Sequence, residues 1–248
     1  MFFDGVSNRI SISEQGVEVL PSCFVTGTDT DAGKTVVTAS ILRMWSHQGY
    51  RCAGMKPVAS GFHMMDGEYV NADIEAIVEA SPDKLPMETI NQYSFVPPIA
   101  PHIAAKESGC VIDSNLIVRR YSEFEGKVDR AVVEGAGGWR VPLNWPEEDS
   151  SKCETIASLG KKLNLPVVLV VGMKLGCINH ALLSAEAVLA DGVQLLGWVA
   201  NAVEQNFARA EENLETLHRL MPAPLLFQVP YLSSESDMRT FVPQILAI

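Results

Sequence analysis

Short, continuous apolar runs recur along the chain, and between them lie stretches whose apolar residues return every three or four positions. That alternation of two periods predicts strands and helices in turn. A strand begins at Cys23 and leads to a helix over 36–45; a strand over 52–58 and a short helix over 74–79 follow. Asp113 reads as the cap of a helix running to Phe124, ahead of a strand over 131–134 that a glycine turn, 135–138, closes. The rhythm continues with a helix near 155–163, a strand over 167–171, a helix over 179–190, a strand over 195–199, a helix over 207–220 and a strand over 225–229. Such strands are apolar throughout because both faces are covered. The expected architecture is therefore a mostly parallel sheet with helices on both faces, joined by right-handed crossovers.

Ahead of this pattern, Ile10, Ile12, Val17 and Val19 alternate with polar residues around Glu14-Gln15-Gly16. Residues 1–22 read as a hairpin, an edge strand or an appendage, with no chemistry assigned, and 23–248 as one domain. No linker or internal repeat divides the 248 residues. The longest apolar stretches fall far short of the roughly 20 residues of a membrane helix, and no signal-peptide pattern opens the chain, so a soluble protein with no membrane partner is expected.

Charge narrows the partners. Lysine and arginine total 19 against 30 acidic residues, a net charge of -11, which disfavours nucleic acid as a ligand. An anion must be held locally. Five dispersed cysteines without a CxxC pair suit a reducing cytoplasm, and the five histidines have no metal-ligand spacing. Neither His102 nor His180 adjoins a serine in a nucleophile-elbow context.

The local anion site is legible at the first strand. Gly27-Thr28-Asp29-Thr30-Asp31-Ala32-Gly33-Lys34-Thr35 joins it to a helix start. Glycine lets backbone N–H groups close around phosphate oxygens, Lys34 supplies a cation for the outer phosphates, and the Thr35 hydroxyl can bind Mg²⁺. The interval between the glycines is one residue longer than in GxxxxGK[ST], which would require glycine at Thr28. Ligands of such sheets gather at the carboxyl ends of the strands, where Lys56, Ser60, Asp73, Glu134, Lys174 and Asn201 are also expected. Glu134 ends an apolar strand where a metal carboxylate is useful. Asp73 reads either as a helix-capping acid or as a second metal ligand, and Thr35, Asp73 and Glu134 make a suitable hard-oxygen set for Mg²⁺. Lys56, aimed by Pro57, can stabilise charge at a transferring phosphate.

With Lys56-Pro57-Val58-Ala59-Ser60-Gly61, Glu134-Gly135-Ala136-Gly137-Gly138-Trp139, the segment Val171 to His180 with its Lys174-Leu175-Gly176-Cys177-Ile178-Asn179, and Gly197-Trp198-Val199-Ala200-Asn201, the phosphate loop resembles that of the dethiobiotin synthetases. The match runs in order from about Cys23 to Leu232, and that family's loop has the same extra residue. The resemblance implies a single-domain P-loop NTPase-like fold and an ATP- and Mg²⁺-dependent cyclo-ligase of biotin synthesis. It closes a ureido ring on 7,8-diaminopelargonate with CO₂, releasing ADP and phosphate. It further implies Lys34 and Lys56 as catalytic cations; Asp31, Ala32, Gly33, Lys34, Thr35 and Val36 around the phosphates; and Thr35, Asp73 and Glu134 on the metal. Gly135, Ala136 and Gly137 flank the nucleotide, Asn201, Ala202, Pro230, Tyr231 and Leu232 its base, and Ser60 the diamine. Cys177, Ile178 and Asn179 open a helix that in the family receives the substrate carboxylate across a dimer interface, so a homodimer is implied.

Residues before Ser22 and beyond Leu232 do not align. Two rival readings are a P-loop amide synthase, which needs an ammonia source, and an ATPase switch of the partition or septum-placement type. The switch calls for a basic patch or terminal amphipathic helix, and neither is legible.

Overall fold

The computed structural model describes residues 11–12, 18–145 and 153–246. Its elements run β1 (Ser11–Ile12), β2 (Glu18–Val19), β3 (Cys23–Gly27), α1 (Lys34–His47), β4 (Cys52–Met55), β5 (Val58–Ser60), β6 (His63–Met65), β7 (Glu68–Val70), α2 (Ala72–Ala80), α3 (Met87–Ile90), β8 (Tyr93–Phe95) and α4 (Pro101–Glu107). There follow α5 (Ser114–Ser122), β9 (Arg130–Gly138), α6 (Ile156–Leu163), β10 (Val167–Met173), α7 (Cys177–Ala190), β11 (Leu195–Ala202), α8 (Ala210–Leu220), β12 (Leu225–Val229) and α9 (Glu235–Thr240).

Six strands form one parallel sheet in the order β12-β11-β10-β3-β9-β4. From β3 the chain crosses to the edge strand β4, comes back to insert β9 between the two, and then lays β10 to β12 on the other side. That reversal opens a crevice at the carboxyl end of β3. Because side chains alternate across a strand, Cys23 and Val25 of β3 pack with α1 while Phe24 packs into the opposite layer with α5, α6 and α7. Both layers are apolar, which is why the strands read as unbroken apolar runs.

The structure differs from the sequence reading at several joints. The strand expected over 52–58 is two strands. Pro57 has no N–H to extend the ladder, so the chain leaves the main sheet after Met55, and β5 pairs instead with β8. The glycine turn expected at 135–138 is strand: β9 continues to Gly138, opposite Gly27. A Cβ on Gly135 would press on the Phe24 ring at 3.1 Å, and Gly137, at φ 64° with Val141 2.8 Å from its Cβ position, calls for glycine. Helix α7 begins two residues earlier than expected and α8 three residues later. Asp113 does cap α5, accepting the Asn115 N–H at 2.8 Å. Strands β1 and β2 pair antiparallel, and the next residue, Leu20, is buried and accepts the Trp45 indole N–H at 3.0 Å.

Candidate active site

The loop between β3 and α1 is held in an unusual backbone path. Asp31 (φ 61°) and Gly33 (φ 85°) both occupy the left-handed region, and Gly33 precedes α1 without any side-chain cap on the helix. The first N–H groups of α1 therefore face the crevice as an anion site, strengthened by the helix dipole. Only glycine fits at 33. A Cβ there would stand 1.9 Å from the Asn201 amide nitrogen, which donates to the Ala32 carbonyl at 2.9 Å and ties β11 to the loop. Lys34 is nearly buried, and its ammonium is folded onto the Asp29 carbonyl at 3.2 Å. Burial and the neighbouring Lys56 hold the Lys34 pKa below the usual lysine range.

Beside it lies a compact ionic cluster. Glu134 of β9 is fully buried, and its Oε1 accepts from the Lys56 ammonium at 2.5 Å and from the Thr35 hydroxyl at 2.8 Å. Lys56 also faces Asp73 Oδ2 at 3.1 Å and the Gly135 carbonyl at 3.4 Å. Burial disfavours the charged lysine, but Glu134 and Asp73 more than offset it, so the Lys56 pKa is raised and it remains a cation. The Asp73 carboxyl is pushed up by burial yet held below its ordinary range by Lys56 and a Thr35 hydrogen bond.

The donor set fits Mg²⁺. Glu134 Oε2 is buried without a hydrogen-bond partner, and the Thr35 hydroxyl and Asp73 carboxylate are adjacent. Among the described residues no cluster of three His, Cys, Asp or Glu could hold a metal alone. That suits an ion that takes one or two carboxylates and completes its shell with phosphate and water. In the structure the Lys56 ammonium stands between the two carboxylates.

These groups line a cleft of about 630 Å³, which also contains Asp31, Gly33, Val36, Ala136 and Gly137. Ser60 also lines it, and its hydroxyl is buried without a hydrogen-bond partner. The Ala32 and Gly135 side-chain positions lie behind the lining. A second cavity of about 590 Å³ lies at the ends of β11 and β12 and includes Ala202, Pro230 and Tyr231. Leu232 lines neither cavity and packs against the α1 layer. The start of α7 is also outside both: Cys177 is buried in the core and Asn179 is exposed. Thr30, Ile99 and Val141 in the first cavity, and Phe207 and Gln228 in the second, were not picked out from sequence. The proline-rich run Pro97-Pro98-Ile99-Ala100-Pro101 was the available signal for one wall.

With the geometry in place, comparison decides the family. The AAA domain family matches residues 22–239. The ATP-dependent dethiobiotin synthetase BioD of Pseudomonas aeruginosa strain UCBPP-PA14 is 46% identical over 214 residues, covering 86% of this chain and 91% of that protein. Its namesake from Alteromonas mediterranea is 44% identical over 213 residues, covering 84% and 91%. The chain belongs to the ATP-dependent dethiobiotin synthetase family. It is an enzyme, an ATP-dependent ligase.

Solved structures extend the fold beyond this family. The septum site-determining protein MinD complexed with Mg-ADP from Pyrococcus horikoshii superposes with a TM-score of 0.52 at 14% identity, covering 90% of this chain and 87% of that one. The chloroplast FtsY of Physcomitrella patens gives 0.51 at 11% identity, covering 97% and 66%. Identities this low speak for a shared P-loop NTPase fold alone. Among the described residues no helix of this synthetase-family chain is long and apolar enough to cross a membrane, and all five cysteines are unpaired.

Proposed function

We propose that the chain is an ATP- and Mg²⁺-dependent cyclo-ligase that forms the ureido ring of dethiobiotin from 7,8-diaminopelargonate and CO₂. One amine nitrogen attacks CO₂ and loses a proton, giving a carbamate. A carbamate oxygen then attacks the γ-phosphorus of ATP as the bond to the β–γ bridging oxygen breaks, releasing ADP. The second amine attacks the carbonyl carbon of the mixed anhydride, loses a proton and expels phosphate.

No protein nucleophile is needed, so positioning and electrostatics carry the rate; correct placement of two reactants is worth about 7–11 kcal/mol. Lys34 moves from the Asp29 carbonyl to the phosphates. Lys56, kept protonated by Glu134 and Asp73, faces the transferring group and carbamate, and Ser60 meets the diamine with its unpartnered hydroxyl. Thr35, Asp73 and Glu134 would hold Mg²⁺, which supplies charge neutralisation on the phosphates. Asn201, Ala202 and the loop 230–232 are assigned to the base. The start of α7, lacking a side-chain cap, is assigned to the substrate carboxylate in a homodimer. Residues 23–248 are taken as the catalytic unit, and the unpaired cysteines support a cytoplasmic setting.

The observation that carries this reading is the buried Lys56–Glu134–Thr35 cluster joined to the phosphate loop in one cleft. The test is phosphate release with diamine, bicarbonate, Mg²⁺ and ATP each omitted in turn. Release should require all four; equal release without diamine sinks the assignment and favours a nucleotide switch.

A further inference from the structure

The phosphate loop poses an electrostatic puzzle. Between Gly27 and Thr35 it carries two acids, Asp29 and Asp31, against one lysine, Lys34, so the segment that must take a polyanion is itself net negative. Asp29 is the hub of the loop. Its carbonyl accepts from the Lys34 ammonium at 3.2 Å, and its Oδ1 accepts the Thr30 N–H at 2.8 Å, folding the carboxylate back on the loop. Its other oxygen meets the Lys174 ammonium at 3.0 Å, across 145 residues of sequence. Lys174 follows β10, the strand beside β3, and the Lys174 carbonyl accepts the first N–H of α7 at 3.0 Å, which fixes its backbone.

From this geometry we infer that Lys174 is a positioning residue for nucleotide binding: it neutralises Asp29, so the loop keeps the carboxylate for its own backbone without repelling the incoming phosphates. The inference rests on the reading of the cleft as an ATP site, and it adds a residue outside the cleft lining. Lys34 must leave the Asp29 carbonyl to follow the phosphates. At that moment Lys174 is the cation remaining in contact with Asp29. The Lys174 hydrogen bond, working against partial burial, accordingly holds the Asp29 carboxyl below its ordinary range.

The pair is partly exposed, so the effect is modest. Removing the lysine, which leaves the Asp29 carboxylate unneutralised, is expected to weaken ATP binding by roughly two- to fivefold. The experiment compares Lys174→Met, Asp29→Asn and the double variant, by calorimetric binding of Mg-ADP and Mg-ATP and by KM and kcat. Lys174→Met should weaken nucleotide binding and raise KM for ATP, with kcat within twofold and the defect shrinking at high salt. Asp29→Asn, whose amide oxygen can still accept the Thr30 N–H, should bind normally. The double variant should return to wild-type affinity, as should Lys174→Arg. Unchanged affinity in Lys174→Met, or a double variant as weak as Lys174→Met, overturns the inference. So does an Asp29→Asn defect as large, which would make the pair purely structural. Because binding is measured without diamine, a failed cyclisation assay leaves this test intact.

Discussion

Lys56→Met offers the sharpest quantitative test of the ionic cluster. The lysine side chain is 5% exposed and Glu134 is not exposed at all, so the substitution strands a carboxylate in the interior. Breaking a buried pair by deleting one partner costs about 3–5 kcal/mol. The lower end applies here, because Glu134 keeps the Thr35 hydroxyl at 2.8 Å and the half-exposed Asp73 can rehydrate. For a chain of this size about 3 kcal/mol lowers Tm by roughly 6–12 °C. Thermal melts of wild type, Lys56→Met and Lys56→Met/Glu134→Gln at pH 7.5 decide the matter. The double variant removes both charges and should recover much of the loss. A single variant melting within about 1 °C of wild type at pH 7.5 refutes the picture of a desolvated, lysine-dependent Glu134.

Other perturbations read other parts of the site. Gly33→Ala combines a 1.9 Å clash with Asn201 and a residue held at φ 85°, so nucleotide binding should be lost and about 1–3 kcal/mol of stability with it; unaltered binding would show that the loop is not the phosphate site. Glu134→Gln keeps the shape while removing the carboxylate proposed for the metal, and should lower kcat about 10²-fold and raise the Mg²⁺ requirement; full activity at low Mg²⁺ would exclude it from that role. Asp73 is held below its ordinary pKa, so its stabilisation is present above the unfolded carboxylate value and disappears as pH falls through the folded one. Asp73→Asn should therefore flatten the acid limb of a stability–pH curve, and an unchanged limb would assign that limb to other carboxylates.

Much of this was legible in sequence, for identifiable reasons. Strands covered on both faces are continuous apolar runs, so β3, β10, β11 and β12 declare themselves, and Lys34-Thr35 lies at the strand-to-helix joint expected for it. Glycine misled at 135–138: the same residue type serves a turn and a strand in which backbones approach closely, and the pairing of Gly138 with Gly27 that separates the two joins distant segments. The strand expected over 52–58 runs past Pro57, although the missing N–H of proline is what releases the chain toward β5. The walls of the cleft escaped notice because Thr30, Ile99 and Val141 act by location, and location is set by pairings such as β5 with β8 that join distant segments. Asp29 and Lys174 lie 145 residues apart; no local pattern links them.

The assembled charges also explain why the metal belongs to the reading. Around the phosphate end, Lys34, Lys56 and Lys174 face Asp29, Asp31, Asp73 and Glu134, in a chain whose overall charge is -11. Side chains alone therefore give a triphosphate no net attraction. Two sources of positive potential remain: the uncapped N–H groups of α1, which are fixed in the fold, and a divalent cation, which would arrive with the nucleotide. The helix end can cradle one phosphate but cannot also offset the carboxylates beside it. Free ATP should thus bind much more weakly than Mg-ATP. That would make the acids a filter: Asp73 and Glu134 repel the bare nucleotide and, as the proposed metal ligands, would favour one that carries its cation.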